Sequence, residues 1–72
     1  MQVCDYLVVV DGELGDDIGR VFEGMNVSRA NGRTVLVGTM RDQAELQGVI
    51  QRISELGLTL LSVSALNRER SN

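Results

Sequence analysis

Asn26-Val27-Ser28-Arg29-Ala30-Asn31-Gly32-Arg33-Thr34-Val35-Leu36-Val37 is the stretch that decides the fold of this chain. A type I′ turn needs positive φ at both central residues, and Asn-Gly supplies it at little steric cost. Asn31-Gly32 therefore joins two strands, 26–30 and 33–37, into a hairpin. Toward the N-terminus, Tyr6-Leu7-Val8-Val9-Val10 is a mostly aliphatic run between Asp5 and Asp11-Gly12, which reads as a buried strand. Between it and the hairpin, Asp16-Asp17 offers a helix N-terminus with acid placed favourably for the dipole. Ile18, Val21 and Phe22 follow at i, i+3, i+4 spacing and give a short helix with one apolar face. Gly19 weakens that helix, and Gly24 is expected to stop it.

Toward the C-terminus the signals are equally local. Asp42 can cap a second helix, and Glu45 at N3 can close a capping box. Leu46, Val49, Ile50, Ile53 and Leu56 then recur at helical spacing as one apolar stripe, and Gly57 sits where a C′ residue with positive φ belongs. A last strand is expected over 58–66. The order is β-α-β-β-α-β. Right-handed crossovers place both helices on one face of a four-stranded antiparallel sheet. The expected class is α+β, with a ferredoxin-like βαββαβ arrangement. Residues 1–66 read as a single α+β domain, and 67–72 as a polar, frayed tail.

Two short helices cover one face of such a sheet, yet the strands are apolar on both. Tyr6, Val8 and Val10 point one way in the first strand, Leu7 and Val9 the other. In the third, Val35 and Val37 oppose Leu36 and Met40. A sheet with one wet face normally alternates polar residues into it. Here Ser62, Ser64 and parts of the hairpin do so, while the first strand is wholly apolar. The chain is therefore expected to be a homo-oligomer, most simply a dimer. Two routes are open, face-to-face packing into a barrel-like dimer and edge pairing into a longer sheet. Which face turns outward is also open. The interface is expected to draw on Tyr6, Val8, Val10, Leu36, Leu60 and Gly48. Gly48 enters because a glycine on an exposed helix face costs roughly 1 kcal/mol relative to alanine, as a close partner helix would explain.

Composition supports the same reading by exclusion. A chain of 72 residues buries only about 60% of its unfolded surface, so small domains commonly lean on disulfides, metals or oligomerisation. With one cysteine, Cys4, there is no intrachain disulfide, and with no histidine the commonest transition-metal ligand is missing. No metal and no cofactor is expected. The acidic group Asp11, Glu13, Asp16 and Asp17 lacks the spacing of a calcium loop. Net charge is −3 and all seven basic residues are arginine, without the basic stripe that nucleic-acid phosphates require. No segment is long and apolar enough to span a membrane. The start, Met1-Gln2-Val3-Cys4-Asp5, has no basic n-region, and a lone thiol suits a reducing cytoplasm.

Chemistry-bearing residues are sparse. Asp11-Gly12-Glu13-Leu14-Gly15 could hold an anion on free N–H groups before a helix, although its acids oppose that. Arg41 could do the same at the second helix. Cys4 lacks a histidine or lysine neighbour to activate it. No catalytic residue is assigned, and an enzyme is the less favoured class.

The segment from Arg33 to Val63 carries Thr34-Val35-Leu36, Gly38, Asp42-Gln43-Ala44 and Leu56-Gly57-Leu58-Thr59-Leu60-Leu61-Ser62-Val63. It resembles short uncharacterised bacterial proteins with a TVL-x-G…DQAxLxGxLxRIxxLGLxLLSV pattern, and no activity comes with that resemblance. By topology the chain is also similar to ACT-type ligand-binding domains, without their glycine signature after the first strand. Three functions follow as expectations. The first is a homo-oligomeric accessory or protein-interaction module. The second is a regulatory ligand binder with a pocket at the dimer interface near the helix N-termini. The third is a small barrel-forming enzyme using carboxylates or Tyr6.

Overall fold

The computed structural model describes residues 3–66, and the tail expected over 67–72 lies outside them. The elements run β1 (Cys4–Asp11), α1 (Asp17–Val21), β2 (Asn26–Ala30), β3 (Arg33–Met40), α2 (Gln43–Glu55) and β4 (Leu60–Leu66). The four strands form one antiparallel sheet in the order β2-β3-β1-β4. The chain is thus α+β, with a four-stranded sheet and two helices.

Asn31 and Gly32 turn the β2–β3 hairpin at φ 55° and 77°, the positive angles that the Asn-Gly pair was expected to adopt. β3 runs three residues past the expected Val37, because Gly38, Thr39 and Met40 stay in register with Tyr6, Asp5 and Cys4 of β1. β1 is longer than Tyr6–Val10 for the same reason. β4 starts at Leu60 rather than at 58, since Leu58 closes the preceding helix.

α2 ends as a Schellman motif. The Gly57 N–H donates to the Ser54 carbonyl at 3.0 Å, the Leu58 N–H donates to the Ile53 carbonyl at 3.1 Å, and Gly57 has φ +75°. At its start, the Asp42 Oδ1 accepts from the Glu45 N–H at 2.9 Å. The reciprocal half of the box is shifted by one residue: Glu45 Oε1 accepts from the N–H of Arg41, at 2.7 Å, instead of that of Asp42.

α1 is weaker than its spacing suggested. It spans five residues, and Asp16 makes no side-chain cap bond. Asp16 Oδ1 faces the Arg29 guanidinium at 3.4 Å instead. Phe22 lies just past the helix end but is buried all the same.

The core lies between the helices and one face of the sheet. Val8, Val10 and Leu36 from β1 and β3 pack with Ile18, Phe22 and Ile53 from the helical layer. Of α2's apolar stripe only Ile53 is fully buried. Val49 packs against the core from the side, and Leu56 is exposed.

Candidate interaction surface

The period-two alternation of strands, combined with the observed register, assigns the residues of β1, β2 and β3 to a face, while β4 has a bulge at Leu61, between Ser62 opposite Val9 and Leu60 opposite Val10. Helix-facing positions are Tyr6, Val8 and Val10 on β1 opposite Gly38, Leu36 and Thr34 on β3. The open face carries Leu7 opposite Val37 and Val9 opposite Val35. These four aliphatic side chains are half-buried and form a square at the centre of the sheet.

The square has a polar frame. On the β2 side it meets Asn26 and Ser28, register partners of Val37 and Val35. On the β4 side it meets Ser64 and Ser62, partners of Leu7 and Val9. At one end Thr39 donates from Oγ1 to Asp5 Oδ1. At the other, Asp11 lies opposite Arg33.

The six residues expected at an interface fall in different places. Val8, Val10 and Leu36 belong to the chain's own core, at 1% exposure or less. Contact with a partner would require removing the helices from them. Tyr6 is half-buried on that same face. Leu60 is exposed at the start of the edge strand β4. Gly48 is exposed on α2, where a Cβ would meet nothing within 4 Å.

Gly48 lines a groove of about 330 Å³ between α2, the end of α1 and the turn into β2. Phe22, Met25, Met40 and Val49 contribute apolar surface to it, and Glu45 and Arg52 contribute charge. Arg52 also ties the two helices together, donating from Nη1 to the Val21 carbonyl at 3.4 Å. Gly38 is buried beneath Met25: a Cβ at that position would lie 2.7 Å from Met25 Cγ.

The loop between β1 and α1, read from sequence as a potential anion cradle, has several of its polar groups engaged within the chain. Thr34, the one buried polar residue among those described, donates from Oγ1 to the Gly12 carbonyl at 2.7 Å and accepts from the Leu14 N–H at 2.9 Å. The Gly12 N–H donates to the Gly32 carbonyl at 2.7 Å, and the Gly32 N–H donates to Glu13 Oε2 at 2.9 Å. The Arg29 guanidinium donates to the carbonyls of Leu14 and Gly15. The loop is a structural latch between β1 and the hairpin. Sequence reading missed Thr34, although a lone hydroxyl in the Thr34, Leu36, Met40 row was the available signal.

Two further ion pairs lie at the surface. Arg41 meets Glu45 at 3.0 Å and Arg20 meets Asp17 at 3.7 Å, exposed pairs of the kind that add little stability. Arg41's backbone N–H, and then its guanidinium, hold the Glu45 carboxyl below the usual carboxylate range. Arg41 is therefore engaged with the helix start where an anion was considered. The Cys4 thiol, half-buried, lies 3.5 Å from the Asp5 carbonyl. Among the described residues no three His, Cys, Asp or Glu side chains come together as a metal cluster, and no helix is long and apolar enough to cross a membrane.

A two-layer α+β domain with one covered and one open sheet face is the class that these features define. The chain belongs to the family described as Domain of unknown function (DUF8691), whose model matches residues 5–64. Neither a curated protein nor a solved structure matches it.

Proposed function

We propose that this protein is a homo-oligomeric interaction module of ferredoxin-like arrangement, acting in a reducing cytoplasm and presenting its open sheet face to a protein partner. The observation that carries the reading is the aliphatic square of Leu7, Val9, Val35 and Val37 on the face away from α1 and α2. Apolar side chains gathered at one place and rimmed by polar groups are the usual mark of a contact surface. The arrangement is supported by the strand order β2-β3-β1-β4 with its two intervening helices. The cytoplasm is supported by the single thiol. Thr34, Arg29 and Glu13 are engaged in the β1–α1 latch, and Arg41, Asp42 and Glu45 at the start of α2, which favours binding over catalysis. Light scattering at micromolar concentration tests the oligomer. A mass above one chain is expected, and the mass of a single chain overturns the reading.

A second reading has its own support in the groove beside Gly48. Its volume of about 330 Å³ falls at the lower end of the range for small-molecule sites, and such sites pair an apolar lining with a few polar groups. A regulatory ligand would lie against Met25 and Met40 with Glu45 and Arg52 at the rim. A thermal-shift screen with amino acids and nucleotides separates the two readings. A rise in melting temperature that Gly48→Leu abolishes would favour the ligand.

A further inference from the structure

We infer that two copies of this chain join through β4, antiparallel about a two-fold axis at Val63, to make one continuous eight-stranded sheet. The inference rests on the oligomeric reading above and names its contact.

The two edges of the sheet differ. β2 is polar, with Asn26, Ser28 and Arg29 exposed along it. β4 is the other edge, with no strand beyond it among the described residues, and reads Leu60-Leu61-Ser62-Val63-Ser64-Ala65-Leu66. No charged residue occurs from Leu56 to Leu66, and Leu60, Leu61 and Leu66 are 37%, 44% and 36% exposed. Edge strands that must stay single usually carry charge or proline, and β4 has neither.

β4 is also nearly palindromic. A two-fold axis at Val63 brings Ser62 beside Ser64 of the partner subunit and Leu61 beside the partner's Ala65, up to the bulge at which β4 passes from Ser62 opposite Val9 to Leu60 opposite Val10. Like then meets like on either side of the axis. In an isologous contact every charge would lie near its own copy, so freedom from charge is the electrostatic condition for self-pairing. The neighbouring flank of α2 meets the same condition. Glu45, Val49 and Arg52 turn toward the groove beside α1. Helical geometry then directs the opposite flank, with Leu46, Gln47, Ile50 and Ser54, away from α1.

Size argues against face-to-face packing as the source of the dimer. At about 3.4 Å per residue and 4.8 Å between strands, the aliphatic square measures only roughly 7 by 5 Å between backbones. A stable interface needs about 800 Å² from each partner. Edge pairing adds main-chain hydrogen bonds along β4 and sets the two squares on one surface, enlarging the platform for a partner protein.

The test uses charge at two exposed positions that lie outside the core. In Ser62→Lys/Ser64→Lys, lysines face lysines across the axis. In Ser62→Lys/Ser64→Glu, each lysine faces a glutamate of the partner. Sedimentation of the full chain over a dilution series is expected to give a dissociation constant raised about tenfold or more in the first variant. The second is expected to stay within about threefold of the unmodified chain. Thermal melts check that both variants fold, and Ser62→Glu/Ser64→Lys provides the same compensated pair in reverse. If the unmodified chain sediments as one copy throughout, the inference and the oligomeric reading fall together. If the unmodified chain is oligomeric and the two variants behave alike, whether both dissociate or neither does, the β4 register is overturned and the oligomer stands. Loss of the oligomer in Val35→Lys with both β4 variants intact would move the contact to the open face.

Discussion

β1 carries a comparison within itself. Val8 and Val9 are neighbours of the same residue type in the same strand. Val8 is fully buried under the helices, and Val9 is half-buried on the open face. Leu36 and Val35 on β3, both aliphatic, are divided in the same way. Residue type does not separate them. What separates them is which side of the sheet receives Ile18, Phe22 and Ile53. An aliphatic side chain on the covered face is committed to the fold of one chain, while one on the open face is available to a second molecule.

The largest expected effect breaks the covered side. Leu36→Ala removes a side chain from the centre of the core and should cost about 2–5 kcal/mol, read as a shift in the urea midpoint. Val35→Ala, one residue away, should cost about 1 kcal/mol or less at concentrations where the chain is a monomer. Equal costs would abolish the distinction between the faces.

Thr34→Val sharpens it next. The substitution keeps the shape but leaves the Gly12 carbonyl and the Leu14 N–H without their partner, at a cost of about 1–3 kcal/mol. Thr34→Ser retains the hydroxyl and should lose less. Calorimetric melts of both variants would show whether the hydroxyl or the packing matters.

Gly38→Ala tests the one position on the helix-facing row of β3 that has no side chain. The new Cβ would meet Met25, and overpacking of this kind costs about 1–3 kcal/mol when the neighbour cannot move. A flexible methionine brings the expectation to the lower end. A double-mutant cycle with Met25→Ala should recover most of the loss, and an additive result would show that the contact is not the cause.

The smallest effect is a pH dependence at the start of α2. The carboxyl of Glu45 is held below its ordinary range by Arg41. A depressed carboxylate contributes stability that is present above its unfolded-state pKa and lost as pH falls through the lower folded-state value. Acid unfolding of the native chain should therefore be steeper below the usual carboxylate range than that of Glu45→Gln. Coincident acid profiles would mean that the Arg41–Glu45 pairing does not persist in solution.

Part of what was unassigned from sequence was in fact legible there. Asp5 and Asp11 share the strand parity of Leu7 and Val9, and Arg33 and Thr39 share that of Val35 and Val37. Charge at the ends of a strand row is tolerated only where water reaches it, so those rows mark the open face. The interface set of Tyr6, Val8, Val10 and Leu36 followed apolar runs and ignored the charges that bracket them. The latch formed by Thr34, Arg29 and Glu13 was not legible in this way. Its partners lie 13 to 22 residues apart, and no local pattern links them.

The sequence by itself determined the elements and their order. Asn31-Gly32, the Asp42 and Glu45 cap and Gly57 act through backbone geometry within a few residues, so their effect is local and readable. Only the tertiary structure decided how the apolar surface is divided. It committed Val8, Val10 and Leu36 to the core, and left the square of Leu7, Val9, Val35 and Val37 and the edge of β4 uncovered. The reason is that burial of an aliphatic side chain depends on how much apolar area is removed from water, whatever neighbour removes it. The placement of the two helices over one face of the sheet supplied that neighbour on one side only.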